Sequence, residues 1–297
     1  MKTVSLHFLP GYREIAKGLS MSLGVDAYPI EIHKFPDGES KVRVEPSTGT
    51  VVIYASLDHP NEKLPHLALA AATFRELGAN RLVLVAPYLC YMRQDIAFTP
   101  GEAVSQRLIG QYLSRYFDRV VTVDPHLHRI DNLQDVFGNC RADALTATGV
   151  IAETLRKEDL TEVILAGPDA ESEQWVKAIA TPLSLPYLIG VKRRSGDREV
   201  KVEFPEGGNL AGRRIIVIDD MISSGMTICE AVKTLKARGA GDIDVITVHM
   251  LARSADLKVM RASGVQRIRA TDSIAHETSD IPLHELLLGS LKEELSR

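Results

Sequence analysis

The feature that most constrains the fold is a series of short, uninterrupted apolar runs spread along all 297 residues. Runs such as VVIYA, RVVTV and RIIVI are rich in β-branched residues and show no polar alternation. This pattern is typical of strands that are covered on both faces, as in parallel sheets. The predicted strands are Thr50–Ala55, Arg81–Ala86, Val120–Val123, Glu162–Ala166, Tyr187–Val191, Arg214–Ile218, Asp244–Val248 and Val265–Arg269.

Helical patterns lie between these strands. Apolar residues share one helical face around residues 64–71, 108–116 and 228–235, and Gly78 and Gly239 are stop signals for the first and third of these helices. Strand–helix alternation over the whole length predicts an α/β fold in which helices flank parallel sheets. The length suggests about two domains, and we place them at residues 1–145 and 146–297.

Charge and cysteine content exclude several classes of protein. The 35 Lys and Arg against 39 Asp and Glu give a net charge of −4, which favours neither a nucleic-acid partner nor a membrane partner. The three cysteines are widely spaced and form no C-x-x-C pair, which argues against a disulfide framework. Without a signal peptide or an apolar run near 18 residues, we expect a cytoplasmic protein.

The segment after the strand at 214–218 carries the strongest chemical signal. Asp219 and Asp220 follow the strand, and a short loop then opens a helix. The loop consists of Ser223, Ser224, Gly225, Met226 and Thr227. Free backbone N–H groups, hydroxyls and the positive end of a helix suit a phosphate, and the carboxylates suit sugar hydroxyls or a metal ion. The alternative is an ordinary helix N-terminus beside two solvated acids.

This segment resembles the phosphoribosyl-diphosphate-binding signature of type I phosphoribosyltransferases and ribose-phosphate diphosphokinases. The resemblance implies two tandem phosphoribosyltransferase-like domains, each a parallel sheet flanked by helices. It also implies that Asp219 and Asp220 bind the ribose hydroxyls and that residues 223–227 bind the 5-phosphate. Two residues depart from the pattern, because Ser223 stands where many members have Asp and Met226 stands where Gly or Ala is usual.

An F-P-D-G-E element at residues 35–39 resembles one found in ribose-phosphate diphosphokinases. The resemblance implies that Phe35 stacks on the adenine of ATP and that Asp37 and Glu39 meet its amino group. The alternative is a Pro-Asp-Gly turn between two strands.

A P-Y-x-x-x-x-R-Q-D stretch at residues 87–95 is similar to a second element of the same enzymes. It implies that Arg93 grips the phosphates of ATP through its planar guanidinium, and that Gln94 and Asp95 bind adenine. A surface loop held by ion pairs is an equally good interpretation of these residues alone.

Two further strand ends supply candidate metal ligands. His126, in Asp-Pro-His after VVTV, matches the family's V-D-x-H segment, and Asp169, after Gly-Pro, matches a metal-associated carboxylate. The resemblance implies that both hold magnesium with the nucleotide. His128 could assist, although lone histidines are usually structural. The acidic residues after Asp169 also fit a stabilised helix N-terminus.

A basic run begins at Lys192, where four of seven residues are Lys or Arg. Such a run is normally a solvated loop. The family, however, carries Lys-x-Arg here on a mobile flap, which implies that Lys192 and Arg194 are catalytic and stabilise transferred phosphates. The segment that follows, R-S-x-x-x-E-V, is closer to that of archaeal-type members of the family.

Together these motifs imply a ribose-phosphate diphosphokinase that converts ATP and ribose 5-phosphate to 5-phosphoribosyl 1-diphosphate and AMP. The implied cofactor is magnesium, and the implied assembly is a homodimer or homohexamer. Two alternatives stay open: a phosphoribosyltransferase that consumes the diphosphate, and a non-catalytic regulatory homologue. Retention of Lys192 and Arg194 argues against the second alternative, whereas Ser223 and Met226 argue weakly for it.

Overall fold

A computed structural model describes residues 4–130, 132–195, 199–206 and 209–296. These residues form two compact units. The first unit contains the described residues up to Leu145 together with those from His284 onward, and the second unit is Thr146–Leu283. Within the described residues, no helix has the length and apolar character needed to cross a membrane.

The first unit alternates strands with helices, apart from four consecutive strands after its first helix. In chain order they are β1 Val4–Phe8, α1 Arg13–Leu23, β2 Ala27–Pro29, β3 Glu31–Lys34, β4 Ser40–Arg43, β5 Gly49–Tyr54, α2 Pro60–Glu76, β6 Ala79–Val85, α3 Ser105–Ser114, β7 Arg119–Val123, α4 Gln134–Phe137 and β8 Arg141–Leu145.

The second unit repeats this alternation. Its elements are α5 Thr148–Leu155, β9 Val163–Gly167, α6 Glu173–Leu183, β10 Tyr187–Ile189, β11 Val191–Ser195, β12 Glu199–Glu203, β13 Arg214–Ile222, α7 Met226–Ala237, β14 Ile243–Met250, α8 Ser254–Ala262, β15 Val265–Thr271 and β16 Ser279–Ile281. The chain then ends with α9 His284–Leu295, which belongs to the first unit.

The two units have the same sheet topology. The strand order is β2-β1-β5-β6-β7-β8 in the first unit and β10-β9-β13-β14-β15-β16 in the second, and neighbouring strands within each sheet are parallel. Each unit also carries an antiparallel hairpin, β3–β4 or β11–β12, inserted before its fifth strand. The strand order reverses between β1 and β5 and between β9 and β13. Ligands of open α/β sheets bind beside the carboxyl ends of strands at such a point.

The strands predicted from the apolar runs are all present, within a few residues of their predicted ends. The predicted α/β class with two parallel sheets is therefore confirmed. Burial explains the agreement, because β7 and β14 are buried at every position. Shorter or more polar strands, such as β8 and β16, gave no comparable signal in the sequence.

The C-terminal segment differs from the predicted division, which gave residues 284–297 to the second half of the chain. Helix α9 packs in the first unit, where it contacts α1 and buries Leu287 and Leu291, and the Glu294 in its last turn pairs with two arginines of the sheet. The Arg119 guanidinium, 2 % exposed, lies 2.9 Å from Glu294, and Arg81 lies 2.7 Å from it. Removing one partner of such a buried pair is strongly destabilising, so the pairing fixes the helix to this unit.

Candidate functional site

The carboxyl ends of β9 and β13 bring together three carboxylates of the second unit. In the register of these strands Ala166 lies opposite Val217, so Asp169, which follows β9, lies near Asp219 and Asp220. The sequence pattern predicts that the two acids follow the strand, but they lie within the last four residues of β13, which extends to Ile222. The carboxyl ends of these two strands lie at the point where the strand order of the sheet reverses. The sequence-predicted residues Asp169, Asp219 and Asp220 therefore meet at the crevice expected for a ligand.

The three carboxylates repel one another. Burial, and then the nearby Asp220 and Asp169 carboxylates, raise the pKa of Asp219 well above its usual value. The pKa of Asp169 is raised by burial first and also by Asp220, while the Lys192 ammonium opposes this shift. A cation or a hydroxyl-bearing ligand in the crevice would relieve this repulsion.

The predicted phosphate loop joins β13 to α7. Ser223 and Ser224 are exposed, and Gly225 sits at the N-cap of α7 with a φ of +71°. A Cβ at Gly225 would lie 2.6 Å from the Met260 sulfur, so both the conformation and the space require glycine. No side chain caps α7, and its first turn holds no acid. The first N–H groups of this 12-residue helix therefore receive no capping side chain from the N-cap residue itself.

The two departures from the family pattern lie at the surface of this loop. Ser223 is exposed, and the Met226 side chain is 64 % exposed at the first position of α7. Thr227 is partly buried in the same turn. Neither the Ser223 nor the Met226 side chain is buried inside the loop.

The described start of the basic run lies on a hairpin strand rather than in an irregular loop. Lys192 on β11 pairs in register with Val202 on β12, and its side chain is exposed. The hairpin is anchored on α7, because the Thr234 hydroxyl donates to the Val202 carbonyl at 2.8 Å and Val202 is buried. Lys192 thus projects from a fixed base close enough to Asp169 to lower its pKa. The Arg194 side chain lies outside the described part of the chain.

The F-P-D-G-E element is the turn of the β3–β4 hairpin in the first unit. The Asp37 carboxylate accepts a bond from the Glu39 N–H at 3.1 Å, and the Phe35 N–H donates to the Glu39 carbonyl at 2.8 Å. All three side chains are exposed, with Phe35 at 42 %. The hairpin turn that the residues alone suggested is present, and it holds an aromatic ring and two carboxylates free to meet a ligand.

Arg93, Gln94 and Asp95 follow β6, and His126 follows the neighbouring strand β7. Arg93 is exposed. Asp95 is only 2 % exposed and pairs with Arg129 at 2.7 Å, while its other oxygen has no hydrogen-bond partner among the described residues. The ion pair joins the two loops, as the ion-pair interpretation predicts, but the Asp95 carboxylate is buried and only Arg129 is exposed. His126 is half-buried, and its ring lies 6.3 Å from that of exposed His128.

A polar cluster that sequence reasoning missed lies at the carboxyl ends of β1 and β5. The Lys63 ammonium donates to the Asp58 carboxylate at 2.6 Å, to the Tyr12 hydroxyl at 2.8 Å and to the Ser56 carbonyl at 2.9 Å. Burial, and then Asp58, raise the pKa of Tyr12. The three side chains come from segments up to 51 residues apart, so no local motif could have indicated the cluster.

Comparisons with known proteins agree with this architecture. A profile of the N-terminal domain of ribose phosphate pyrophosphokinase matches residues 5–116, and one of the phosphoribosyl transferase domain matches residues 142–281. A ribose-phosphate pyrophosphokinase of Methanopyrus kandleri is 34 % identical over 265 residues, which are 88 % of this chain and 89 % of that one. The chain belongs to the ribose-phosphate pyrophosphokinase family.

Other ribose-phosphate pyrophosphokinases support the same assignment. The protein of Halobacterium salinarum is 34 % identical over 277 residues, covering 91 % of this chain and 94 % of that one. The crystal structure of phosphoribosylpyrophosphate synthetase from Mycobacterium smegmatis matches with a TM-score of 0.85 over 99 % of both chains, at 22 % identity, which establishes the shared fold. The predicted family, its similarity to archaeal members and the enzyme class are thus confirmed.

Proposed function

We propose that this chain transfers the diphosphate group of ATP to the 1-hydroxyl of ribose 5-phosphate. The sugar oxygen forms a bond to the β-phosphorus, the bond from that phosphorus to the bridging α,β-oxygen breaks, and AMP leaves with that oxygen. The products are 5-phosphoribosyl 1-diphosphate and AMP. The observation that carries the proposal is the crevice of the second unit, where mutually repelling carboxylates, a helix N-terminus with a glycine at its N-cap and an exposed lysine converge.

Ribose 5-phosphate fits the second unit in one orientation. The 5-phosphate would bind the loop of residues 223–227, because its N–H groups and hydroxyls are donors and the end of α7 is positive. The ribose hydroxyls would donate to Asp219 and Asp220, since carboxylates accept such bonds strongly. This leaves the 1-hydroxyl free to attack.

Lys192 would act on the transferred phosphates, and Arg194 is proposed to act with it. The Lys192 ammonium is close enough to Asp169 to lower the pKa of that carboxyl. Its side chain is exposed and can contact a ligand. Cations placed at a transferring phosphoryl group stabilise the transition state, and phosphoryl transfer depends mainly on such positioning. We assign no general base.

The nucleotide would bind residues of the first unit. Phe35 offers an exposed ring for adenine, and Asp37 and Glu39 offer acceptors for its amino group. Arg93 offers an exposed guanidinium for the phosphates. Gln94 and Asp95 are proposed to bind adenine, and the partnerless oxygen of Asp95 is an acceptor that such a contact would satisfy.

Magnesium fits the donor chemistry of these residues. Among the described residues no group of three or more His, Cys, Asp or Glu is arranged to hold a metal ion. Mg²⁺ characteristically takes one or two carboxylates together with waters and phosphate oxygens, so a full protein cage is not needed. We propose that Asp169 in the second unit and His126 in the first unit each contribute a protein ligand to magnesium within their own unit. The bound ion would neutralise phosphate charge.

We also propose that the enzyme works in the cytoplasm as a homodimer or homohexamer, without a nucleic-acid or membrane partner. Size-exclusion chromatography with light scattering tests the assembly directly.

The function itself is tested by giving the purified protein ribose 5-phosphate, ATP and magnesium and following AMP. We expect AMP formation that requires ribose 5-phosphate. A folded protein that forms no AMP under these conditions would refute the proposal. ATP with ribose in place of ribose 5-phosphate is the matched control, because it lacks the phosphate that the loop is proposed to bind.

A further inference from the structure

A threonine beside the carboxylate crevice has an unused hydroxyl. Thr247 lies near the carboxyl end of β14, its side chain is 0 % exposed, and its hydroxyl finds no hydrogen-bond partner among the described residues. A buried hydroxyl without a partner is unfavourable and uncommon in folded proteins. Such a hydroxyl is available as a donor to an acceptor that comes within its reach.

The sheet register identifies the neighbour of this hydroxyl. Thr247 is the Cα partner of Asp219 on the adjacent parallel strand β13. Partners in register point to the same face of a sheet, and adjacent strands lie about 4.8 Å apart. The Thr247 side chain thus stands next to the Asp219 side chain, on the same face of the sheet.

Other buried hydroxyls close to Thr247 are satisfied. The Thr271 hydroxyl donates to the Val248 carbonyl at 2.7 Å, and the Ser273 hydroxyl donates to the same carbonyl at 2.8 Å. Ser273 also contacts the His249 ring at 2.9 Å. The Thr247 hydroxyl differs from these two because it has no partner among the described residues. Its neighbour in register is Asp219, a proposed substrate ligand.

We propose that Thr247 is a positioning residue for ribose 5-phosphate, whose hydroxyl donates to the Asp219 carboxylate when the sugar is bound. The proposal rests on the proposed role of Asp219 in binding the ribose hydroxyls. One Asp219 oxygen already accepts a bond from the Asp220 N–H at 3.1 Å. A second donor from β14 fixes the remaining rotation of the carboxylate, so that its free lone pairs face the sugar.

A hydroxyl suits this position better than a charged donor. It adds no net charge to the crowded carboxylates, and it can rotate toward Asp219 without moving the backbone. Because Thr247 acts through Asp219 and touches neither substrate, its loss weakens sugar binding equally in the ground state and the transition state. Such a loss raises KM and leaves kcat unchanged.

The test compares Thr247→Val, which removes the hydroxyl at nearly constant volume, with Thr247→Ser, which keeps it. We expect Thr247→Val to raise KM for ribose 5-phosphate about tenfold, with kcat and the KM for ATP within about twofold of the parent enzyme. Its melting temperature should be equal or higher, because an unsatisfied buried hydroxyl is replaced by a methyl group. Thr247→Ser should restore KM.

Thr271→Val is the matched control, since it removes a buried hydroxyl that is satisfied by a carbonyl of the fold. It should lower the melting temperature and leave KM for ribose 5-phosphate unchanged. An unchanged KM in Thr247→Val would overturn the proposal, as would a KM that rises equally in both valine variants. If Thr247→Val does not fold, a Thr247→Ser enzyme with a smaller KM change than Thr247→Ala supports the proposal, and equal values overturn it.

Failure of this proposal is distinct from failure of the proposed function. An active parent enzyme with an unaffected Thr247→Val variant rejects the positioning role alone, whereas an inactive parent rejects the function. Direct titration of ribose 5-phosphate into Asp219→Asn and into Asp219→Asn/Thr247→Val tests whether Thr247 affects sugar binding only through Asp219. The two affinities should be equal within about twofold, and a further tenfold loss in the double variant would contradict action through Asp219.

Discussion

Each unit has a crevice at the equivalent place in its sheet, where the strand order reverses. The charges in one crevice are balanced, whereas those in the other repel one another. Between β1 and β5 of the first unit, Asp58 is neutralised by Lys63 at 2.6 Å and Tyr12 completes the cluster. Between β9 and β13 of the second unit, Asp169 and Asp219 repel each other and their pKa values are raised. One crevice is therefore satisfied by its own chain, while the other is left for a ligand to complete.

The inserted hairpins differ in a parallel way. The β3–β4 hairpin presents an aromatic ring and two acids at its turn, whereas β11 presents an exposed lysine from a base fixed on α7. An apolar, acidic turn suits a nucleobase, and a lysine suits phosphate. The same fold can thus serve for nucleobase binding in one unit and for phosphate binding in the other, because the residues of the crevice and of the hairpin differ.

Lys192→Ala tests the division between the hairpins and has the largest expected effect. Loss of a cation at the transferring group should lower kcat by about 10²–10³-fold, with the KM for ATP changed much less. Phe35→Ala is the matched variant of the other hairpin and should instead raise the KM for ATP about tenfold through lost stacking. Steady-state kinetics with varied ATP measure both. Equal losses of turnover and ATP binding in Lys192→Ala would contradict the division.

His7 makes the first unit sensitive to acid. Burial lowers the pKa of His7 from 6.5 to about 4, and the matching strand position of β9 holds Ala166. In the unfolded chain His7 binds a proton below about pH 6.5, whereas in the folded unit it does so only below about pH 4. The free energy of unfolding therefore falls as the pH falls through this range. The loss reaches about 3 kcal/mol by pH 4. Urea unfolding of the parent and His7→Gln, followed by far-ultraviolet circular dichroism, should show that the parent loses more unfolding free energy than the variant between pH 6.5 and pH 4.

Asp219→Asn sharpens the contrast at the second crevice. Removing one of three mutually repelling carboxylates should raise the melting temperature by about 2–4 °C. It should also weaken ribose 5-phosphate binding about 30-fold through the lost charge-assisted bond. Trp175, the single tryptophan of the chain, lies in this unit and reports its unfolding by fluorescence. A lower melting temperature would show that these carboxylates stabilise the free protein, against our account.

Asp58→Asn is the counterpart in the first unit, with the smallest expected effect. It leaves the Lys63 ammonium, 19 % exposed, without its anion and should cost about 1–2 kcal/mol of unfolding free energy. Ribose 5-phosphate affinity should not change. Asp58→Asn should lower stability and Asp219→Asn should raise it. A change in the same direction in both variants would contradict the contrast between the two crevices.

The sequence predicted the buried strands because both of their faces must be apolar. The same reasoning missed β11 as a strand, because Lys192 and its basic neighbours are stabilised by hairpin pairing rather than by burial. It also missed the place of α9, since the pairing of Arg119 with Glu294 joins residues 175 positions apart. Elements determined by long-range contacts leave little trace in local patterns.

At the candidate site, local motifs indicated Asp169, Asp219 and the loop before α7, because each comes shortly after a strongly apolar run of the sequence. Their proximity follows from sheet order, which the motifs alone do not determine. The unused hydroxyl of Thr247 gave no sequence signal at all, since a threonine inside an apolar strand is an ordinary β-former. Its significance depends on the register that pairs it with Asp219.

Identification of the products tests the central claim most directly. Phosphorus-31 NMR of the purified protein with ATP, magnesium and ribose 5-phosphate should show a diphosphate attached to the sugar and an equal amount of AMP. ADP together with a sugar bisphosphate would show transfer of one phosphoryl group rather than two. That result, or ATP left intact by folded protein, would contradict the account.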